Sequence, residues 1–150
     1  MNPTSIILLG ICLAILAYVF RSKPQHVEIF LDTSGSMRMQ EAVDTITNIL
    51  GQMRNDISVT FSTFDLKITS KEVFSSPLEA AVIIKDMLTI GKLASLHGSG
   101  TDYTCISSAI PENTTHTFVV TDCSDNPLHN DPRFAKFKPK HLTFVDCKEV

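Results

Sequence analysis

This 150-residue sequence lacks a marked excess of charge: 13 basic residues stand against 16 acidic ones, a net of −3. Nucleic-acid binding calls for a basic face, so no nucleic-acid partner is expected. A cysteine framework is also missing. Cys12 lies in an apolar start, and Cys105, Cys123 and Cys147 are odd in number, at spacings that match no zinc pattern such as C-x-x-C. Buried or free thiols in a reducing compartment are the expected state. There are no internal repeats, no low-complexity tracts and no H-E-x-x-H. Finally, no charged side chain occurs before Arg21. The chain therefore divides into an apolar start and a remainder long enough for one hydrophobic core.

The apolar start is Ser5 to Phe20, SIILLGICLAILAYVF. As a helix it would span about 24 Å, against a bilayer core of about 30 Å. Pro3, Thr4 and Ser22 can sit in the interface, and Arg21 and Lys23 can snorkel. The first four residues carry no basic side chain, and Ala17-Tyr18-Val19-Phe20 is too bulky for a good cleavage site. Residues 1–23 thus read as an uncleaved, single-pass transmembrane anchor with a basic flank. That flank follows the run, which places the remainder, residues 24–150, in the cytoplasm.

The remainder alternates strands and helices. His26 to Leu31 (HVEIFL) reads as a buried parallel strand. Met39, Ala42, Val43, Ile46, Ile49, Leu50 and Met53 share one face of a helix expected over residues 37–54. Ile57 to Phe64 and Leu66 to Phe74 are strands with a break tight enough for a hairpin, so this pair is antiparallel. Ser76-Pro77 opens a helix that runs to about Ile90 or Leu96. A glycine-rich loop, His97 to Thr101, precedes a short helix over Tyr103 to Ile110. Thr115 to Thr121 and His141 to Val145 are further strands, separated by a polar, proline-containing stretch from Ser124 to Pro139. This order implies an α/β fold with a mostly parallel sheet and helices on both faces.

Three polar clusters sit where strands end or a loop opens a helix. They are Asp32-Thr33-Ser34-Gly35-Ser36, Gly98-Ser99-Gly100-Thr101-Asp102 and Thr121-Asp122-Cys123-Ser124-Asp125. Ligands of open α/β sheets bind at the carboxyl ends of the strands. Neighbouring parallel strands would bring Asp32 and Asp122 together there, and two close carboxylates call for a cation or a shared proton. Hydroxyls of Ser34, Ser36 and Thr101 add neutral oxygens, a donor set that suits Mg²⁺, with Mn²⁺ and Ca²⁺ also compatible. Gly35 is expected to let the backbone turn so that both serines face one point. The competing reading is that the first loop merely caps the helix starting near Met37 and that Asp122 merely ends a strand.

D-x-S-x-S, then G-T-D, then T-D at the end of a later strand resembles the von Willebrand factor A (VWA) domain family, over about residues 26–147. The resemblance implies a Rossmann-like three-layer sandwich, its mostly parallel central sheet flanked by one antiparallel edge strand. It also implies a metal-ion-dependent adhesion site. In that site Ser34, Ser36 and Thr101 would touch the metal directly, and Asp32 and Asp122 directly or through water. A partner protein's acidic side chain would complete the coordination. The sequence departs from the family in length: 28 residues follow Asp122, so the fold is expected to be trimmed at the C-terminus. Position 123 is Cys where the family often has Gly.

Other polar residues have plainer readings. His26, His116 and His141 begin or sit in strands, and His129 lies in the polar stretch. His97 is the histidine nearest the candidate metal loop. Asp102 and Asp125 flank metal residues, and either could support the site or be a solvated turn residue. Cys123 reads as a small buried residue, and Lys136, Lys138 and Lys140 as a solvated face. The leading functional expectation is a membrane-anchored module that binds a protein partner through a divalent cation. The alternatives are a metal-dependent hydrolase, for which the loops offer no evident general base or nucleophile, and a structural subunit whose site is empty.

Overall fold

The computed structural model describes residues 25–96, 98–122 and 141–147. Several sequence features lie outside the described residues. They are the apolar run 5–20 with Cys12, Arg21 and Lys23, and also His97, Cys123, Asp125, His129, and Lys136, Lys138 and Lys140. Among the described residues no helix is long and apolar enough to cross a membrane.

The elements in chain order are β1 (His26–Asp32), α1 (Met39–Gly51), β2 (Ser58–Phe64), β3 (Ile68–Phe74), α2 (Pro77–Thr89), a 3-10 turn (Ala94–Leu96), α3 (Thr104–Ala109), β4 (His116–Thr121) and β5 (Leu142–Asp146). The strands form one sheet in the order β3-β2-β1-β4-β5. β1 pairs in parallel with β2 and β4, and β4 with β5, while β3 runs antiparallel to β2 at the edge. The fold is therefore α/β and mostly parallel with one antiparallel pair, as the alternation of elements implies.

β1 is the central strand, and six of its seven residues are buried. Its side chains alternate between two separate cores. Val27, Ile29 and Leu31 pack on one face with Ala42, Val43, Ile46 and Leu50 of α1 and Ala80, Ile84 and Met87 of α2. Phe30 packs on the other with Phe64, Val119, Leu142 and Ile106 of α3. Phe30 and Phe64 meet edge-on with ring centroids 6.5 Å apart, a geometry that aromatic quadrupoles favour. A strand covered on both faces cannot show the polar–apolar alternation of a surface strand, which is why HVEIFL reads as an almost continuous apolar run.

Local chemistry sets the helix ends. Ser76 accepts from the Glu79 backbone N–H at 3.2 Å, and Pro77 occupies the first turn of α2. The Glu79 carboxylate reaches back to the Ser75 backbone N–H and hydroxyl at 2.9 and 2.7 Å. These bonds hold the Glu79 carboxyl below its ordinary range. Helix α1 is shorter than the apolar spacing suggests, beginning at Met39 instead of 37 and ending at Gly51 instead of 54.

Candidate metal centre

Asp32 is the last residue of β1 and only 1% exposed. Burying a carboxylate is costly unless its oxygens are hydrogen-bonded, and here donors come from three parts of the chain. The Ser34 backbone N–H donates to Oδ1 at 2.8 Å. The Thr101 hydroxyl lies 3.3 and 3.2 Å from the two oxygens. The Thr121 hydroxyl, at the end of β4, donates to Oδ2 at 2.9 Å. Ser34 Oγ and Ser36 Oγ are 3.4 Å apart. Asp32, Ser34, Ser36 and Thr101 are thus brought together at the carboxyl ends of the strands. Asp122 follows Thr121 directly at that same end and is 9% exposed.

The first loop does not cap α1. The residue before the helix is Arg38, and no side chain makes a cap hydrogen bond there. The hydroxyls of Ser34 and Ser36 are therefore not spent on the helix start, and the helix-cap reading of this loop fails. Gly35 also plays a smaller part than its place in the motif suggests. It does not adopt positive φ, and a Cβ on it would meet only the Gly98 carbonyl oxygen at 3.8 Å.

The glycine that the site requires is Gly98. A Cβ there would lie 2.3 Å from Asp65 Cβ, so no side chain fits. This close approach lets the Gly98 N–H donate to the Thr33 carbonyl at 2.9 Å and lets Gly98 bridge to Ser34. The turn between β2 and β3 joins the same cluster of loops. The Asp102 N–H donates to the Asp65 carbonyl at 2.7 Å, and the Thr33 N–H and hydroxyl both donate to the Phe64 carbonyl. Asp102 Oδ1 accepts from the Thr104 N–H at 2.9 Å, so this carboxylate helps start α3.

Two contributors, Thr121 and Tyr103, are not among the five candidate ligands, although Thr121 stands in the T-D pair. β1 and β4 pair Leu31 with Val120, which sets Thr121 beside Asp32 on the same face of the sheet. The Tyr103 hydroxyl lies 2.9 Å from the Thr121 hydroxyl. Parallel pairing and period-two alternation could have identified Thr121; Tyr103 needed the tertiary structure. His26, read as a strand-start residue, is one. Its Nδ1 lies 2.7 Å from Ser58 Oγ, and its Nε2 lies 3.0 Å from Glu28 Oε1 and 2.9 Å from Thr60 Oγ1.

The donor set can be tested for its fit to a cation. Two cis oxygens on a six-coordinate Mg²⁺ lie about 3 Å apart, given metal–oxygen bonds of about 2.0–2.1 Å, and slightly more on Ca²⁺. The Ser34–Ser36 and Thr101–Asp32 oxygen separations, 3.4 Å and 3.2–3.3 Å, fall near that spacing. All these donors are hard oxygens, which suits Mg²⁺, Mn²⁺ or Ca²⁺. Among the described residues there is no group of three or more His, Cys, Asp or Glu that could hold a metal. The candidate set relies instead on hydroxyls for most of its ligands. Cys105 and Cys147 are free thiols. Burial, with Asp122 and Asp146 nearby, pushes Cys147 up to about 11. Burial and Asp102 raise Cys105 as well, so neither is a ready thiolate.

No protein-family model matches this chain. No curated protein matches it either. Among solved structures, the chain is similar to an aerotolerance-related membrane protein from Bacteroides fragilis carrying multiple mutations to serines. The TM-score is 0.50 at 21% identity, over 65% of this chain and 54% of that one. The chain thus spans about half the length of that structure. At this identity the likeness concerns the fold.

Proposed function

We propose that this chain is a membrane-anchored VWA-like domain that holds a divalent cation, Mg²⁺ in the first instance, and uses it to bind a protein partner. The observation that carries the reading is the buried Asp32 carboxylate, surrounded by Ser34 and by the hydroxyls of Thr101 and Thr121. Ser34, Ser36, Thr101, Asp32 and Asp122 would hold the cation. Its chemical contribution is an electrophilic position at which a carboxylate of the partner can bind.

The protein's own residues supply orientation. Thr121 and the Ser34 N–H fix the Asp32 carboxylate, Tyr103 lies against Thr121, and Gly98 and Asp65 hold the loop that carries Thr101. Membrane attachment rests on the apolar run 5–20, and the similar solved structure is itself described as a membrane protein. The basic flank of the run argues for a cytoplasmic domain.

The test is capture of partners from solubilised membranes by the full chain, with and without EDTA. The partner is expected to be lost on chelation and with Asp32→Ala, and to return with Mg²⁺ or Mn²⁺ only for the unsubstituted chain. Binding that survives both EDTA and Asp32→Ala would sink the reading.

A further inference from the structure

The carboxyl ends of the strands hold the candidate metal site, and the opposite end of the molecule has its own character. β1 begins there at His26, which pairs with Ser58 at the start of β2. β3 ends there, with Phe74 opposite Val59. The last turn of α1 and the first turn of α2 therefore lie at this end too, and a groove of about 180 Å³ separates them. Leu50, Met53, Leu78 and Ala81 line it beside the polar Thr47 and Asn55. Leu78 is 65% exposed, and Val82, one helical turn further along α2, is 54% exposed.

Chain length limits what this end can face. Five residues, 21–25, separate the apolar run from β1. Fully extended, five residues reach at most about 18 Å. A domain tethered that closely must turn this end toward whatever holds the run. Beside the groove, Arg54 is paired with Asp56 at 2.6 Å and Glu79 is a charged carboxylate that accepts from Ser75, so this end suits the polar interfacial region and not the hydrocarbon core.

We propose that the groove between α1 and α2, with Leu78 in its lining and Val82 one turn further along α2, sits in the interfacial region of the bilayer. The inference rests on the anchor reading of residues 5–20. The attraction is apolar, because the rim offers no basic cluster for anionic headgroups, so zwitterionic phosphatidylcholine suffices and added salt has little effect. The consequence is orientation. β1 is seven residues long, about 23 Å at the usual rise per residue, so the metal end stands that far from the bilayer and faces the aqueous phase.

The sequence contains no tryptophan, so a single substitution introduces a unique reporter. The full chain carrying Leu78→Trp is reconstituted into phosphatidylcholine vesicles, with and without brominated phosphatidylcholine as quencher. Leu66→Trp, 56% exposed on the β2–β3 turn at the metal end, serves as control. The expected result is blue-shifted emission from Leu78→Trp, roughly halved by brominated lipid, with Leu66→Trp unaffected. If Leu78→Trp folds poorly, Val82→Trp takes its place. Emission from either groove variant that brominated lipid leaves unchanged, while the chain floats with the vesicles, would overturn the proposal and leave the anchor standing. A chain that fails to float overturns the anchor reading, and the proposal with it.

Discussion

Thr121 shows how one side chain supports a site in which the motif gives it no ligand role. Its hydroxyl donates to Asp32 Oδ2 at 2.9 Å and lies the same distance from Tyr103. Groups that orient a metal ligand typically change metal affinity by about 10- to 100-fold when removed. Thr121→Val keeps the shape and removes the hydroxyl. It is expected to weaken Mn²⁺ binding at least about tenfold while leaving the far-ultraviolet circular dichroism spectrum unchanged. Isothermal titration of Mn²⁺ into both proteins checks this; equal affinities would remove Thr121 from the support of the site. The motif itself was readable from residues alone, because Asp32, Ser34, Ser36, Thr101 and Asp122 are chemically distinctive at their spacing. Gly98 was visible only as one of two glycines in a loop. That its Cβ would collide with Asp65 depends on how the β2–β3 turn packs.

At the scale of elements, apolar patterning and turn residues located the described α-helices and strands, with the end of α2 at Thr89 instead of as far as Leu96 and a separate 3-10 turn at Ala94–Leu96. Sequence reading was weakest at helix ends, where backbone geometry decides. Helix α1 starts after Arg38 without a side-chain cap. Helix α2 starts with Ser76, whose hydroxyl accepts from the Glu79 N–H. Two helices at the same sheet face thus begin by different means. Ser76→Ala should cost about 1 kcal/mol, within the usual range of about 0.5–2 for a lost cap. Urea unfolding of the two proteins would show the loss as a lower midpoint at unchanged slope. No change in midpoint would mean that Glu79 and Pro77 suffice to set the helix start.

For the molecule as a whole, the centre of the sheet carries a cost that depends on pH. Glu28 lies on β1, 1% exposed, and its Oε2 has no hydrogen-bond partner. Burial raises its carboxyl above the ordinary value, and His26, Lys71 and Thr60 only partly offset that. A carboxyl raised in the folded state binds more protons folded than unfolded between the two pKa values. Its contribution to stability is therefore complete below the unfolded value and is lost as pH rises through the folded one. Glu28→Gln removes this loss. The variant is expected to melt above the unsubstituted protein at neutral pH, with the difference disappearing in acid. Thermal melts across that pH range check it; a variant that is less stable at neutral pH would show that the His26–Glu28 contact outweighs the burial cost.

By itself the sequence determined the class of fold, the alternation of elements and the identity of the candidate ligands. These follow from periodicity, turn residues and the chemistry of oxygen donors, all local properties of the chain. Tertiary structure decided which hydroxyls surround Asp32, why Gly98 must be glycine and that the first loop is no helix cap. It also placed a groove between α1 and α2 at the end opposite the site. Each of these depends on strand register or on loops distant in sequence packing together, and no window of residues carries that information.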